Sequence, residues 1–99
     1  MTIEQKKENE SLILTVSGEL TALTAEQLSA AVKSAIAETG CLILDFSNLE
    51  YVASAGLRVL LDSKKLLDAG GGKLIVRNVS EAIMRTFEIT GFSDILDFE

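Results

Sequence analysis

The amino-acid sequence predicts an α/β protein with a mixed, mostly parallel sheet of four to five strands and crossover helices. Short apolar runs alternate with longer segments of helical periodicity, and this alternation favours parallel strands joined by helices. The chain has 99 residues, which suits one domain, and we expect residues 1–99 to form it. Hydrophobic residues make up 47% of the chain and charged residues 24%, which is typical of a folded chain with one buried core.

The N-terminal segment predicts a β-hairpin. Residues 2–8 and 11–18 have the pattern of strands, and Asn9-Glu10 between them suits a two-residue turn. Gly18 then breaks the pattern and predicts the end of the second strand.

A helix and a buried strand are predicted next. Thr24 with Gln27 three residues later forms a capping-box pattern, apolar residues recur at helical spacing after it, and Gly40 supplies a stop. Residues 41–46 are a short, largely apolar run, which is typical of a strand covered on both faces.

The second half of the chain predicts a helix over residues 55–69, a strand over residues 73–77, a helix over residues 78–91 and a strand over residues 95–98. Asn78 and Glu81 form a second pair of capping residues, at the start of the third helix. Gly70-Gly71-Gly72 lacks the Lys-Ser/Thr pair of a nucleotide-binding P-loop and precedes a strand, so we interpret it as a helix stop followed by a turn.

The composition excludes several classes of function. Nine Lys and Arg residues against fifteen Asp and Glu residues give a net charge of −6, which argues against binding to nucleic acid or to anionic lipid. The chain has no His and a single Cys, which excludes a His-dependent catalytic relay, a His-ligated metal site and an internal disulfide. We therefore expect no enzyme, no metal and no cofactor. The polar N-terminus and the absence of a long apolar run predict a soluble, cytoplasmic protein without direct membrane insertion.

Two isolated residues offer weak candidates for chemistry. Cys41 opens a strand that looks buried, and we interpret it as a small core residue rather than a reactive thiol. Asp45 ends the same strand, but no second acid stands at a spacing that suggests acid–base catalysis.

The most informative stretch runs over residues 45–61. Ser54 lies just before the second helix, where its hydroxyl suits the N-cap position. On a helical wheel one side carries the predicted core residues Val59, Leu60, Ser63 and Leu67. Another side carries Ser54, Leu57, Arg58, Leu61 and Lys65. This second side predicts either a docking strip for another protein or a wide core arc that takes up both leucines.

The same stretch resembles the signature of STAS domains, in particular that of the bacterial anti-sigma factor antagonists. In that family a strand ends in Asp-hydrophobic-Ser, a Tyr or Phe follows, and Asp-Ser-Ser/Thr-Gly-Leu opens a helix. The matching residues here are Asp45-Phe46-Ser47, Tyr51 and Ala53-Ser54-Ala55-Gly56-Leu57. The resemblance extends from Gly18-Glu19-Leu20 to Gly91-Phe92 and so covers nearly the whole chain.

The resemblance implies a single STAS domain that acts as a switch. In the family, the serine that matches Ser54 is phosphorylated by an anti-sigma factor that is also a serine/threonine kinase. The unphosphorylated protein binds this kinase and releases its sigma factor, phosphorylation breaks the complex, and a PPM-type serine phosphatase resets it. The residues then expected to contact the partner are Thr21, Ala53, Ser54, Ala55, Gly56, Leu57, Arg58, Leu61 and Lys65.

Three positions depart from the family pattern. Ala53 stands where the motif commonly has Asp, and Thr21 stands where an Asp often follows Gly-Glu-Leu. Both positions belong to the partner-facing surface in the family, so we expect recognition of the kinase to differ. Ala55 replaces the second hydroxyl residue, which leaves Ser54 as the only phosphate acceptor in the motif.

Two other functions compete with this interpretation. STAS domains also serve as constitutive subunits of lipid-transport ATPases or of larger signalling assemblies, where the surface around Ser54 would be a permanent docking face. A small-ligand or nucleotide sensor, or an enzyme, is disfavoured because the residues form no catalytic constellation.

Overall fold

The computed structural model describes residues 1–99 and contains six strands and three α-helices. In chain order they are β1 (Thr2–Glu8), β2 (Ser11–Leu20), α1 (Ala25–Ile36), β3 (Cys41–Asp45), β4 (Leu49–Val52), α2 (Ser54–Ala69), β5 (Lys73–Arg77), α3 (Glu81–Thr90) and β6 (Asp97–Phe98). The main sheet has the order β1-β2-β3-β5-β6, in which only the β1–β2 pair is antiparallel. The predicted α/β class and the mixed, mostly parallel sheet are therefore confirmed.

The sequence pattern does not predict β4, and its presence raises the strand count above the expected four to five. β4 pairs in parallel with the end of β2 at Gly18, Glu19 and Leu20. Gly18 does not end β2, which continues past it with a φ of 99° and passes from β3 to β4. The register shift between Gly18 and Glu19 is a β-bulge whose extra residue is Glu50 of β4. Only the two end residues of β4, Leu49 and Val52, are buried, so β4 lacks the alternation that identifies a strand.

All three helices pack on one face of the sheet, around a core of 20 buried hydrophobic residues. The central strands direct their even-numbered residues into this core, namely Leu12, Leu14, Val16, Leu42, Leu44, Leu74 and Val76. The buried hydrophobic residues of the helices belong to the same cluster, namely Leu28, Val32, Ala35, Leu57, Leu60, Leu67, Ile83 and Phe87. The odd-numbered residues of these central strands consequently face the other side of the sheet, which carries no helix.

Long side chains rather than helices cover this second face. Ile13 and Ile43 lie side by side there and are only 4% and 5% exposed. The guanidinium of Arg77 in β5 lies 3.6 Å from the carboxylate of Glu8 in β1, so these two side chains together span the strands between them. The low exposure of Ile13 and Ile43 shows that this face of β2 and β3 is covered as well. The expectation that residues 41–46 are covered on both faces is met in this way.

The predicted capping box at the start of α1 is wrong. Thr24 is the N-cap residue but makes no capping bond. Its hydroxyl instead accepts a hydrogen bond from the Thr21 N–H at 2.9 Å and donates one to the Glu19 carbonyl at 2.8 Å. The amide of Gln27 donates to the carbonyl of Met1. The turn that precedes α1 thus competes successfully for the threonine hydroxyl.

The predicted cap at the start of α3 is also wrong. The N-cap residue is Ser80, whose hydroxyl accepts a hydrogen bond from the Ile83 N–H at 3.2 Å. Asn78 lies before the helix with a φ of 59°, and its side chain donates to Asp45. Glu81 is therefore the first residue of the helix rather than the third.

The last predicted strand is shorter than expected. Only Asp97–Phe98 pair with β5, because Phe92–Asp94 form a turn of 3-10 helix. The ring of Phe98 packs against that of Phe87, with 5.8 Å between the centroids, so the C-terminal segment covers the adjacent edge of the core.

Candidate functional site

Ser54 is the first residue of α2, one position inside the helix rather than at the predicted N-cap. The N-cap is Ala53, whose carbonyl accepts hydrogen bonds from the Gly56 N–H at 2.9 Å and the Leu57 N–H at 3.0 Å. No side chain caps the helix, because alanine carries no side-chain oxygen. Ser54 is exposed, and modification of its hydroxyl would break no capping bond.

Close packing fixes the N-terminus of α2 against the end of the sheet. Leu20 pairs with Val52 at the end of the β2–β4 ladder, and its carbonyl accepts a hydrogen bond from the Ala53 N–H at 2.8 Å. A Cβ atom at Gly56 would lie 2.5 Å from Leu20 Cγ and 3.0 Å from Val52 Cγ2. The helix can approach the strands this closely only because residue 56 has no side chain.

One row of residues on α2 faces away from the sheet. Ser54, Arg58, Leu61 and Lys65 are spaced i, i+4, i+7 and i+11, which places them on one side of the helix, and we call them the Ser54 stripe. Ser54, Arg58 and Lys65 are exposed, and Leu61 is half-buried. No acidic residue lies in the first turn of α2. The stripe is therefore a neutral to positive surface on a protein whose net charge is −6.

Leu57 lies outside this stripe and inside the core. It is 9% exposed and packs with the core cluster, and Gly56 beside it is also buried. The wide core arc therefore accounts for Leu57, because α2 rests on the sheet through this side, and the contact of Leu57 with a partner stays a prediction. Ala53 and Ala55, on either side of Ser54, are half-buried.

The loop between β2 and α1 lies at the same end of the sheet. It contains the predicted contact residue Thr21, which is half-buried, and Leu23, which is 95% exposed. Tyr51 in the adjoining β4 is 52% exposed. The register places Tyr51 opposite Glu19, whose carbonyl accepts the Thr24 hydroxyl of this loop. The predicted site includes neither Leu23 nor Tyr51. For Leu23 the sequence offered one signal, namely an apolar residue just before a helix.

Asp45 joins two loops near this end of the sheet. Its carboxylate accepts hydrogen bonds from the Ser47 N–H at 2.9 Å and from the Asn78 amide at 3.3 Å. Burial opposes ionisation, but the hydrogen bonds and the positive charge of Arg77 outweigh it, so the pKa of Asp45 lies below its usual value of 3.8. The ionised carboxylate therefore holds together the loops that follow β3 and β5.

Asp45→Asn is expected to destabilise the fold at neutral pH and to have less effect as the solution is acidified. The folded-state pKa lies below that of the unfolded chain. The ionised carboxylate therefore stabilises the fold above the unfolded-state pKa, and this contribution is lost as the pH falls through the folded-state pKa. Urea unfolding of both proteins from neutral pH down to about pH 3 measures the difference.

A companion variant isolates one partner of Asp45. Asn78→Gly keeps a residue that tolerates the positive φ but removes the amide donor. It should reduce the same pH-dependent contribution to a smaller extent than Asp45→Asn. A stability difference between Asp45→Asn and the parent that stays constant over this pH range would contradict the assignment.

A groove lies between α1 and α2. Its volume is about 420 Å³, and its lining residues are Ser29, Lys33, Val59, Asp62, Ser63, Lys65 and Leu66. The buried Ser63 hydroxyl already donates to the Val59 carbonyl at 2.7 Å.

Nowhere in the chain do three or more His, Cys, Asp or Glu side chains gather as a metal-binding group. No helix is long and apolar enough to cross a membrane.

Comparison with known protein families finds that this chain matches the STAS domain family. The STAS domain model matches residues 2–99. The chain is 27% identical over 97 residues to an anti-sigma-B factor antagonist of Bacillus subtilis, covering 98% of this chain and 89% of the relative. It is 30% identical over 98 residues to an anti-sigma F factor antagonist of Paenibacillus polymyxa, covering 97% of this chain and 84% of the relative.

Solved structures with similar folds include an anti-sigma factor antagonist from Mycobacterium paratuberculosis, with a TM-score of 0.87 at 26% identity over 98% of this chain and 83% of that chain. The unphosphorylated form of SpoIIAA has a TM-score of 0.76 at 22% identity, over 99% of this chain and 87% of that chain. The phosphorylated form of Bacillus SpoIIAA has the same TM-score at 23% identity, over 99% of this chain and 91% of that chain. The SpoIIAA structures share the fold of this chain.

Proposed function

Because the chain belongs to the STAS domain family, we propose that it is an anti-sigma factor antagonist whose binding is switched at Ser54. In its unphosphorylated form it binds an anti-sigma factor that is also a serine/threonine kinase, and this binding releases a sigma factor. Phosphorylation of Ser54 breaks the complex, and a PPM-type serine phosphatase restores the starting state. The protein acts by binding and has no catalytic activity of its own.

The observation that carries this proposal is the exposed, uncapped position of Ser54 at the start of α2. A phosphate adds about −1.5 to −2 charges near neutral pH. The unpaired N–H groups and the dipole of a helix N-terminus favour an anion, so the modified protein should remain folded. SpoIIAA supports the same conclusion, since its unphosphorylated and phosphorylated structures match this chain equally well.

The surroundings of Ser54 explain why a phosphate would affect a complex. The half-buried Leu61 lies on the same side of α2, and the exposed Leu23 and Tyr51 lie at the same end of the sheet. A partner that covers these apolar side chains removes water from Ser54 as well. A phosphate without a matching charge in the interface would then be desolvated at a cost of several kcal/mol. A loss of about 3 kcal/mol weakens binding more than a hundredfold.

The departures from the family motif make this change of charge more pronounced. Thr21, Ala53 and Ala55 are uncharged, and the Ser54 stripe itself carries only positive charges. Phosphorylation would therefore place a negative charge on a surface that has none along these positions. We propose that the kinase partner recognises this chain through shape and apolar contact at residues 21, 53 and 55, rather than through acidic residues.

Mapping the phosphate tests this assignment. The anti-sigma factor is captured with the immobilised protein from a lysate of the organism that supplies the chain, and is then incubated with the protein and ATP. Mass spectrometry should find one phosphate on Ser54 and none on Ser54→Ala. Ser47→Ala removes an exposed serine from a neighbouring loop and should keep the phosphate. Equal phosphorylation of Ser54→Ala and wild type would contradict the proposal.

A further inference from the structure

β1 forms one edge of the sheet, and its outer side pairs with no other strand. It is paired with β2 along its whole length, from Thr2 opposite Ser17 to Glu8 opposite Ser11. All of its residues except Ile3 are exposed. Such an edge presents a row of backbone N–H and C=O groups with which a strand of another chain can pair.

The hairpin turn determines which backbone groups point outward. Asn9-Glu10 form a two-residue turn that closes on the Glu8–Ser11 pair, which is a hydrogen-bonded pair in such a turn. Hydrogen-bonded pairs alternate along an antiparallel ladder, so every even-numbered residue of β1 directs its backbone groups toward β2. The residues whose backbone groups point outward are Ile3, Gln5 and Lys7.

We propose that two copies of this chain associate through β1, in an antiparallel register centred on Gln5 of both copies. This register sets Gln5 opposite Gln5 and Ile3 opposite Lys7, which matches the outward-pointing groups and forms about six backbone hydrogen bonds. It also sets Glu4 of each copy directly opposite Lys6 of the other copy. The two-fold symmetry produces this ion pair twice, and opposite charges directly across a strand pair stabilise it.

The neighbouring registers are disfavoured. Sliding one strand by a single residue places outward-pointing backbone groups opposite inward-pointing ones, and no ladder forms. Sliding it by two residues moves the centre to Glu4 or to Lys6, so that two like charges face each other. The Lys6 centre also sets Glu4 opposite Glu8. Like charges directly opposite each other destabilise a strand pair, so both of these registers are disfavoured. The charged residues of β1 also disfavour pairing with unrelated strands, whereas in the Gln5-centred register they face opposite charges.

The dimer leaves the Ser54 site uncovered. β1 lies on one side of β2, whereas β3 and β4 pair with the other side. The joined sheet would thus carry two copies of the Ser54 stripe. A single strand pair buries less than about 1,000 Å², so the association is weak and depends on concentration. This inference stands whether or not Ser54 is phosphorylated.

Sedimentation velocity over about 10 µM to 1 mM protein tests the proposal, because a contact of this size dissociates in that range. Wild type should shift toward the dimer as its concentration rises. Glu4→Lys and Lys6→Glu should each weaken the dimer about tenfold or more, since each replaces two attractive pairs with two repulsive ones. The double variant should recover the wild-type affinity. An equimolar mixture of the two single variants should form a heterodimer for the same reason.

Matched controls separate the strand pairing from net charge. Glu26→Lys and Lys33→Glu make the same charge changes at exposed positions of α1 and should leave the dimer unchanged. Circular dichroism verifies that each variant is folded. A wild-type protein that stays monomeric at the highest concentration would overturn the proposal. A dimer that Glu4→Lys and Lys6→Glu leave intact would overturn it as well, because the copies would then associate through another surface.

Discussion

Ser54→Asp is expected to lower the affinity for the anti-sigma factor by more than about a hundredfold, whereas Ser54→Ala should bind as tightly as the unphosphorylated wild type. The substitution places a carboxylate where the proposed interface excludes water, two turns from the half-buried Leu61 on the same side of α2. The fold should be unaffected, because an acidic residue in the first turn of a helix interacts favourably with the dipole, by about 0.3–1 kcal/mol. Isothermal titration calorimetry with the captured anti-sigma factor measures the affinity, and thermal unfolding verifies the fold.

Ser34→Asp is the matched control for this prediction. It adds the same charge at another exposed serine, in α1, and should change the affinity far less than Ser54→Asp. If Ser54→Ala and Ser54→Asp bind equally well, the switch is refuted. If both variants instead capture the same transporter subunits or scaffold proteins from a lysate, the surface around Ser54 is a permanent docking face, as in a constitutive assembly subunit.

The elements that were predicted from the sequence are those with strong local periodicity. β3 is apolar over Cys41–Leu44, β2 carries the apolar run Leu12–Leu14, and α1 repeats its buried residues at helical spacing. Tertiary contacts between distant parts of the chain decide the features that could not be predicted from the sequence. Gly18 could end a strand or lie within one, and the choice depends on β4, about thirty residues further along. Asn78 and Ser80 could both cap α3, and the hydrogen bond from Asn78 to Asp45 decides between them.

In the candidate site, too, local sequence pattern predicts some features and tertiary contacts decide the others. The motif places Ser54 at the start of α2, and the structure agrees to within one residue. The helical wheel gives the direction of Leu57 around the helix axis but not its depth. Leu57 is buried because α2 approaches the end of the sheet closely, where β2 pairs with β4. Since β4 lacks a sequence signal, neither the burial of Leu57 nor the exposure of Tyr51 in β4 could be derived from local pattern.

Gly56→Ala is expected to destabilise the protein, because its new methyl group would enter the space of two buried side chains. The ideal Cβ position lies 2.5 Å from Leu20 Cγ and 3.0 Å from Val52 Cγ2, and these residues are 0% and 4% exposed. Overpacking of this kind costs about 1–3 kcal/mol, occasionally more, and the fully buried site points to the upper end. The gain of about 1 kcal/mol from replacing a glycine inside a helix offsets only part of this cost.

Two further variants make the Gly56 prediction specific. Gly40→Ala introduces a methyl group with no atom within 4 Å and should leave the free energy of unfolding nearly unchanged. Leu20→Ala alone should cost about 2–5 kcal/mol through the cavity it leaves. Combined with Gly56→Ala it should cost less than the sum of the two, because the new methyl group then occupies part of that cavity. Urea unfolding of the four proteins measures this coupling. Strict additivity would mean that Gly56 does not set the distance between α2 and the sheet, and the position of Ser54 would then require another cause.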